Sequence, residues 1–265
     1  MTRKPRLKSS TVSKRAEKAG DPPAGLRVVD KPATKAVVGS KPSRGPNKPA
    51  KPMRRWTSAE VREAFNRFKK ANPEPKGELE YLNPYTLLVA VVLSAQATDA
   101  GVNKATRALF AVADTPQKML ALGEEKLRDH IKTIGLYRTK ARNVIALSGK
   151  LLAEFGGEVP RTRAEIESLP GAGRKTANVV LNMAFGERTM AVDTHVFRVA
   201  NRTGLAPGAT PLEVELGLER VIPPEFMLHA HHWLILHGRY TCLARKPRCE
   251  VCLINDICRW PEKTV

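Results

Sequence analysis

The chain has 265 residues, enough for one larger or two smaller domains, and a formal net charge of +19. Such a surplus of Lys and Arg favours polyanions and leaves DNA, RNA and an anionic membrane surface open as partners. No apolar run approaches the roughly 20 residues that span a bilayer, and no signal-peptide core follows the basic N-terminus; a soluble intracellular protein is expected.

Residues 1–55 hold 16 Lys or Arg against 3 Asp or Glu, with 8 prolines and no Phe, Trp or Tyr. A segment with so little to bury is expected to be disordered. It reads equally as a basic arm for non-specific DNA binding and as a solvated extension without a target. A transit peptide is disfavoured by the prolines and the lack of an amphipathic stripe.

From Trp56 the punctuation is helical. Thr57 precedes Glu60, Thr162 precedes Glu165 and Thr210 precedes Glu213, each at capping-box spacing. Asn83-Pro84, Thr115-Pro116 and Thr210-Pro211 set a capping residue before a proline suited to the first helical turn. Val61, Phe65 and Phe68 recur at helical spacing, and the apolar run 87–93 reads as a buried helix continuing through Ser94-Ala95-Gln96-Ala97. Glycines 123, 135, 156, 186 and 204 mark helix ends. Without convincing strand patterns, the fold is expected to be all-α.

Two turns say more. Leu169-Pro170-Gly171-Ala172-Gly173-Arg174-Lys175-Thr176-Ala177 places two glycines around one residue and then starts a helix. That pattern brings backbone N–H groups and a positively polarised helix start up to a phosphate, as in a helix–hairpin–helix element. A looser echo is Ile134-Gly135-Leu136-Tyr137-Arg138-Thr139-Lys140-Ala141, a second turn expected to face DNA. The four cysteines are spaced Cys242-x6-Cys249-x2-Cys252-x5-Cys258. Four clustered thiolates suit Zn²⁺ or an iron–sulfur cluster, and spacing alone does not choose. Arg245, Lys246 and Arg248 lie between the first two, so the site would hold a basic loop outward.

Together the strings 93–99 (Leu-Ser-Ala-Gln-Ala-Thr-Asp), 134–137, 169–178 and 192–195 (Val-Asp-Thr-His), with the cysteine pattern, resemble endonuclease III over residues 56–265. That family comprises bacterial bifunctional DNA glycosylases and abasic-site lyases. The resemblance implies a two-domain helix–hairpin–helix glycosylase fold: a six-helix barrel at 77–187 and a cluster domain from 56–76 and 188–265, with one [4Fe–4S] cluster on the four cysteines. It implies a monomer acting on double-stranded DNA, with no membrane partner, in the bacterial cytoplasm at the nucleoid. The activity it implies is removal of oxidised or ring-damaged pyrimidines, then nicking 3′ of the abasic site.

The resemblance makes Lys175 the nucleophile and Asp193 its acidic partner, and the chemistry supports the pairing. Positive charge builds on the sugar as the base leaves, and a carboxylate stabilises it. An amine bonded to C1′ becomes an imine that acidifies C2′ and permits β-elimination. Lys175 must be neutral to attack, and Arg174 and the helix start are expected to depress its pKa. The plainer roles are a phosphate clamp for Lys175 and a helix cap for Asp193, the latter compatible with catalysis. The resemblance sends Gln96 and Leu136 into the duplex, as gap filler and wedge. Gly171, Gly173, Arg174, Arg245, Lys246 and Arg248 are expected on the DNA backbone, and Ser94, Asp99 and His195 at the base pocket. A monofunctional adenine glycosylase lacks the amine at 175, and a non-enzymatic DNA-binding protein needs neither Lys175 nor Asp193.

Overall fold

The computed structural model describes residues 54–264; of the segment 1–55, all but Arg54 and Arg55 lie outside the described residues, and with them the expectation of disorder. The helices are α1 (Ser58–Ala71), α2 (Pro84–Leu93), α3 (Asp99–Val112), α4 (Pro116–Ile131), α5 (Tyr137–Phe155), α6 (Arg163–Glu167), α7 (Arg174–Phe185), α8 (Thr194–Thr203), α9 (Pro211–Val221) and α10 (Met227–Tyr240), with a 3-10 turn at Cys249–Val251. No helix among the described residues is long and apolar enough to cross a membrane.

Each helix start expected from capping chemistry is present. Thr57, Asn83, Thr115, Thr162 and Thr210 all accept the backbone N–H three residues on, satisfying a donor that the helix cannot pair. Glu60 completes its box, whereas Glu213 turns instead to the Ala209 N–H at 2.8 Å. Gly156, Gly186 and Gly204 end α5, α7 and α8, and Gly123 breaks α4 from within. Two expectations fail locally. The left-handed residue at the second turn is Leu136, not Gly135, and α2 stops at Leu93 because Gln96 takes a φ of 54° that no right-handed helix can hold.

Two apolar cores result. Helices α2 to α7 surround the first, in which Leu87, Leu88, Leu109, Leu127, Leu147 and Ile166 are wholly buried. The second joins α1 to α8, α9 and α10; Phe65 stacks on Phe226 with ring centroids 5.7 Å apart and meets Trp233 at 6.1 Å. The α1 helix thus packs with segments more than a hundred residues downstream. Trp56 fixes its entry by donating its indole N–H to the Thr203 carbonyl at 2.8 Å.

Polar links tie the cores together. Asn182 on α7 donates to the Leu228 carbonyl at 3.1 Å. Arg174 on the same helix forms a fork with Glu215 on α9, its Nε 3.0 Å from both carboxylate oxygens and its Nη2 2.8 Å from Oε1. Glu215 is only 3 % exposed, and its other cation, Arg163, stands 3.9 Å away. A carboxylate taken out of water depends on such partners.

The turn between α6 and α7 is closed by the Ala172 N–H donating to Leu169 at 3.0 Å. Gly171 has φ 81°, and a Cβ there would sit 2.9 Å from Asn143 Nδ2 and 3.2 Å from Val92 Cγ1. Gly173 caps α7 in extended geometry, with nothing within 4 Å of such a Cβ. Gly171→Ala should therefore cost about 1–3 kcal/mol in a denaturant titration. Gly173→Ala should leave stability nearly unchanged, since a Cβ there meets open space. Arg174→Ala strands a buried carboxylate and should cost about 3–5 kcal/mol, with Glu215→Gln in the same chain recovering much of it.

Candidate active site

Lys175 is the second residue of α7, and its side chain lines a small cavity between the cores. Two helical stripes at four-residue spacing form facing walls: Lys175, Val179 and Met183 on α7, and His231, Ile235 and Arg239 on α10. Ser94, Asp99 and Asp193 close the remaining side, so four of the residues singled out from the sequence share one enclosure. A wider cleft of about 680 Å³ lies beyond Gly77, Met183 and His232, and holds neither Lys175 nor either aspartate.

Asp193 caps α8, its Oδ1 accepting the N–H groups of His195 at 2.9 Å and Val196 at 2.8 Å. The cap fixes the carboxylate at the cavity wall. Burial pushes the Lys175 amine below its ordinary value, opposed by the Asp193 and Asp99 charges and assisted by Arg239. Arg174 takes no part, contrary to expectation: its guanidinium is turned away into Glu215. His232 is held down to about 4 by burial, and His231 falls well below its usual value because of burial, His232 and Lys175. Both imidazoles are neutral at pH 7 and add no cation to the cavity.

His195, expected at the pocket rim, is corrected. It packs between α8 and α10, where a Cβ on Gly238 would lie 2.8 Å from its own, and its Nδ1 meets Arg198 Nη2 at 3.1 Å. The residues missed from sequence are Glu78, His231, His232 and Arg239. The i, i+4, i+8 spacing of 231, 235 and 239 was the available signal for α10, hidden in a helix that also carries His229, His232 and His237.

The second turn and the cysteine loop present the other singled-out residues. Gln96, Leu136 and Lys246 are the three non-glycine residues with positive φ among the described residues, at 54°, 58° and 50°. Leu136 is 60 % exposed, so it is no core leucine, and Gln96 and Lys246 are exposed too. A Cβ on Gly135 would lie 4.0 Å from the Gln96 carbonyl, so the two loops abut. Holding such residues left-handed costs on the order of 1 kcal/mol each, a strain that clusters at functional positions. Arg245 and Arg248 are exposed on the cysteine loop.

The four cysteines line one enclosed space. Among the described residues, no three His, Cys, Asp or Glu side chains stand close enough to share one metal ion. Four sulfur donors around one enclosed space are the donor set of a polynuclear iron–sulfur cluster. Burial pushes the Cys252 thiol up to about 11 and Cys258 the same way. Arg202 braces the loop, reaching Cys242 Sγ at 3.6 Å and the Leu243 carbonyl at 2.6 Å with Trp260 under its guanidinium.

Comparison with known proteins accords with this geometry. Residues 89–224 match the model of the HhH-GPD superfamily base excision DNA repair proteins, and 242–258 match the iron–sulfur binding domain of endonuclease III. The chain is 60 % identical over 206 residues to endonuclease III of Treponema pallidum, covering 78 % of this chain and 98 % of that protein. It is 58 % identical over 201 residues to the Escherichia coli K12 enzyme, covering 76 % and 95 %. Among solved structures, a trapped endonuclease III–DNA covalent intermediate is similar at TM-score 0.72 and 46 % identity, covering 77 % of this chain and 96 % of that one. A non-covalent endonuclease III–DNA complex gives 0.73 at the same identity, covering 77 % and 95 %. The relatives are bacterial. The capped aspartate, the enclosed lysine, the glycine hairpin and the four-cysteine cavity are thus carried by a chain that belongs to the endonuclease III family of the HhH-GPD superfamily.

Proposed function

We propose that this protein excises oxidised or ring-damaged pyrimidines from double-stranded DNA and nicks the resulting abasic site, using Lys175 as nucleophile and Asp193 as its electrostatic partner. The observation that carries the reading is the enclosure of a half-buried amine, in the first turn of the hairpin helix, with a carboxylate fixed by its own helix cap. As the glycosidic bond breaks, its electron pair leaves with the base, which takes up a proton, and Asp193 stabilises the charge left on the sugar. The Lys175 lone pair bonds to C1′, and ring opening leaves a protonated imine. Loss of the C2′ proton then expels the 3′ phosphate with its electron pair, and water releases the amine.

Around this centre the reading assigns Gln96 and Leu136 to the space vacated in the duplex, with their strained backbones presenting them outward. Gly171, Gly173 and the first N–H groups of α7 lie against phosphate. Ser94 and Asp99 line the base pocket. Arg174 contributes to DNA binding mainly by holding α7 in place, while Arg245, Lys246 and Arg248 meet the backbone directly. Cys242, Cys249, Cys252 and Cys258 would hold one [4Fe–4S] cluster, which supplies four metal–sulfur bonds that staple 242–258 into a rigid loop. The domains are drawn at 77–187 for the barrel and at 56–76 with 188–265 for the cluster domain. The protein works as a monomer on nucleoid DNA in the bacterial cytoplasm.

Borohydride reduction on an abasic duplex tests the centre. Wild-type protein should form a covalent adduct and Lys175→Ala none; a wild-type protein that does not trap overturns the reading. Because burial lowers the Lys175 pKa, the trapping rate should rise with pH and level off before the pH near 10.4 at which free lysine titrates. Asp193→Asn should slow base removal by about 100-fold or more. Purified protein should absorb broadly in the visible region, and Cys252→Ser should lose that band together with DNA affinity; stoichiometric zinc instead would overturn the cluster assignment.

A further inference from the structure

Lys175 shares its cavity with two aspartates, yet among the described residues it forms no ion pair with either. The charged and titratable groups facing it are Lys76 and Glu78 from the segment before α2, Asp99 from α3, Asp193 from the cap of α8, and His231, His232 and Arg239 from α10. Both imidazoles are neutral, so the balance rests on two lysines, one arginine and three carboxylates.

Asp99 is the carboxylate with a competing partner. Arg239 Nη1 donates to Asp99 Oδ2 at 2.6 Å and also to Glu78, whose other oxygen accepts from the Tyr240 hydroxyl. The Arg239 and Asp99 side chains are 23 % and 16 % exposed, which shields the pair from full solvent screening. The bond also runs from the second core to the first, since α10 and α3 belong to different ones.

We propose that Arg239 is a positioning residue that holds Asp99 away from Lys175 and so leaves the amine with Asp193 as its working anionic partner. Without Arg239, the Asp99 carboxylate faces the two lysines of the cavity, and a contact with Lys175 stabilises the ammonium that cannot attack. Removing the guanidinium also removes a repulsion that disfavours that ammonium. Both changes act in one direction: less free amine at neutral pH.

This inference rests on Lys175 being the attacking amine, and the experiment separates the two. Single-turnover borohydride trapping on an abasic duplex is followed against pH for wild type, Arg239→Gln, Asp99→Asn and the double variant, with visible absorption and thermal melting as folding controls. Arg239→Gln should move the rising limb up by about one pH unit, an approximately tenfold loss near neutrality that disappears at high pH. In the Asp99→Asn background the same substitution should move the limb by less than about a third as much. Should Arg239→Gln not fold, Arg239→Lys, which keeps a point charge but loses the planar guanidinium that spans Glu78 and Asp99, should shift the limb the same way by a smaller amount. A limb that stays in place while the rate falls equally at every pH, or equal shifts in both backgrounds, overturns the proposal and leaves Lys175 untouched. A wild-type protein that fails to trap overturns both.

Discussion

Taking an ammonium out of water costs free energy, and the two carboxylates near Lys175 work in the opposite direction. Which effect prevails depends on how closely the two cores are held, because neither encloses the amine alone. Its α7 wall belongs to the first core and its α10 wall to the second. The fork from Arg174 to Glu215, the Asn182 contact and the Arg239 network therefore set an electrostatic property as much as a mechanical one. A wider separation between the walls would hydrate the amine and raise its pKa back toward the ordinary value.

Rigidity and strain are distributed accordingly. Helix starts are secured by side-chain caps, and the same device that begins α8 positions the Asp193 carboxylate. The left-handed backbone at Gln96 and Leu136 is tolerated on loops fixed at both ends, Gln96 between α2 and α3 and Leu136 between α4 and α5. Stability held in the helices is thus spent at the loop tips, where a side chain must stand out from the surface rather than pack into it.

Local chemistry was readable in the sequence because its partners are close in the chain. Thr57 and its counterparts find their N–H groups three residues on, the glycine hairpin spans five residues, and the cysteines lie within seventeen. What escaped depends on distant segments. Arg174 looked like a neighbour of Lys175 by adjacency, but consecutive helical residues point about 100° apart, and its partner Glu215 is 41 residues away. Arg239 meets Asp99 across 140 residues. His195 follows the aspartate by two positions, and the helix turns its side chain onto α10 instead of the cavity. The exposure of Leu136 was legible from its place on a turn between Gly135 and Tyr137, and its left-handed backbone supplies the physical reason.

The pairing of α1 with the far end of the chain has a consequence for biosynthesis. Helices α2 to α7 can close their core as soon as they leave the ribosome, while Val61, Phe65 and Phe68 on α1 find no partner until Met190 and beyond have been made. At roughly 5–20 residues per second, the intervening 118 residues leave that greasy face uncovered for about 6–24 s. The nascent chain thus spends its early life as a folded half carrying an exposed aromatic flag, a natural client for a chaperone at the tunnel exit. Substitutions on that face would register as reduced yield well before they registered as reduced activity.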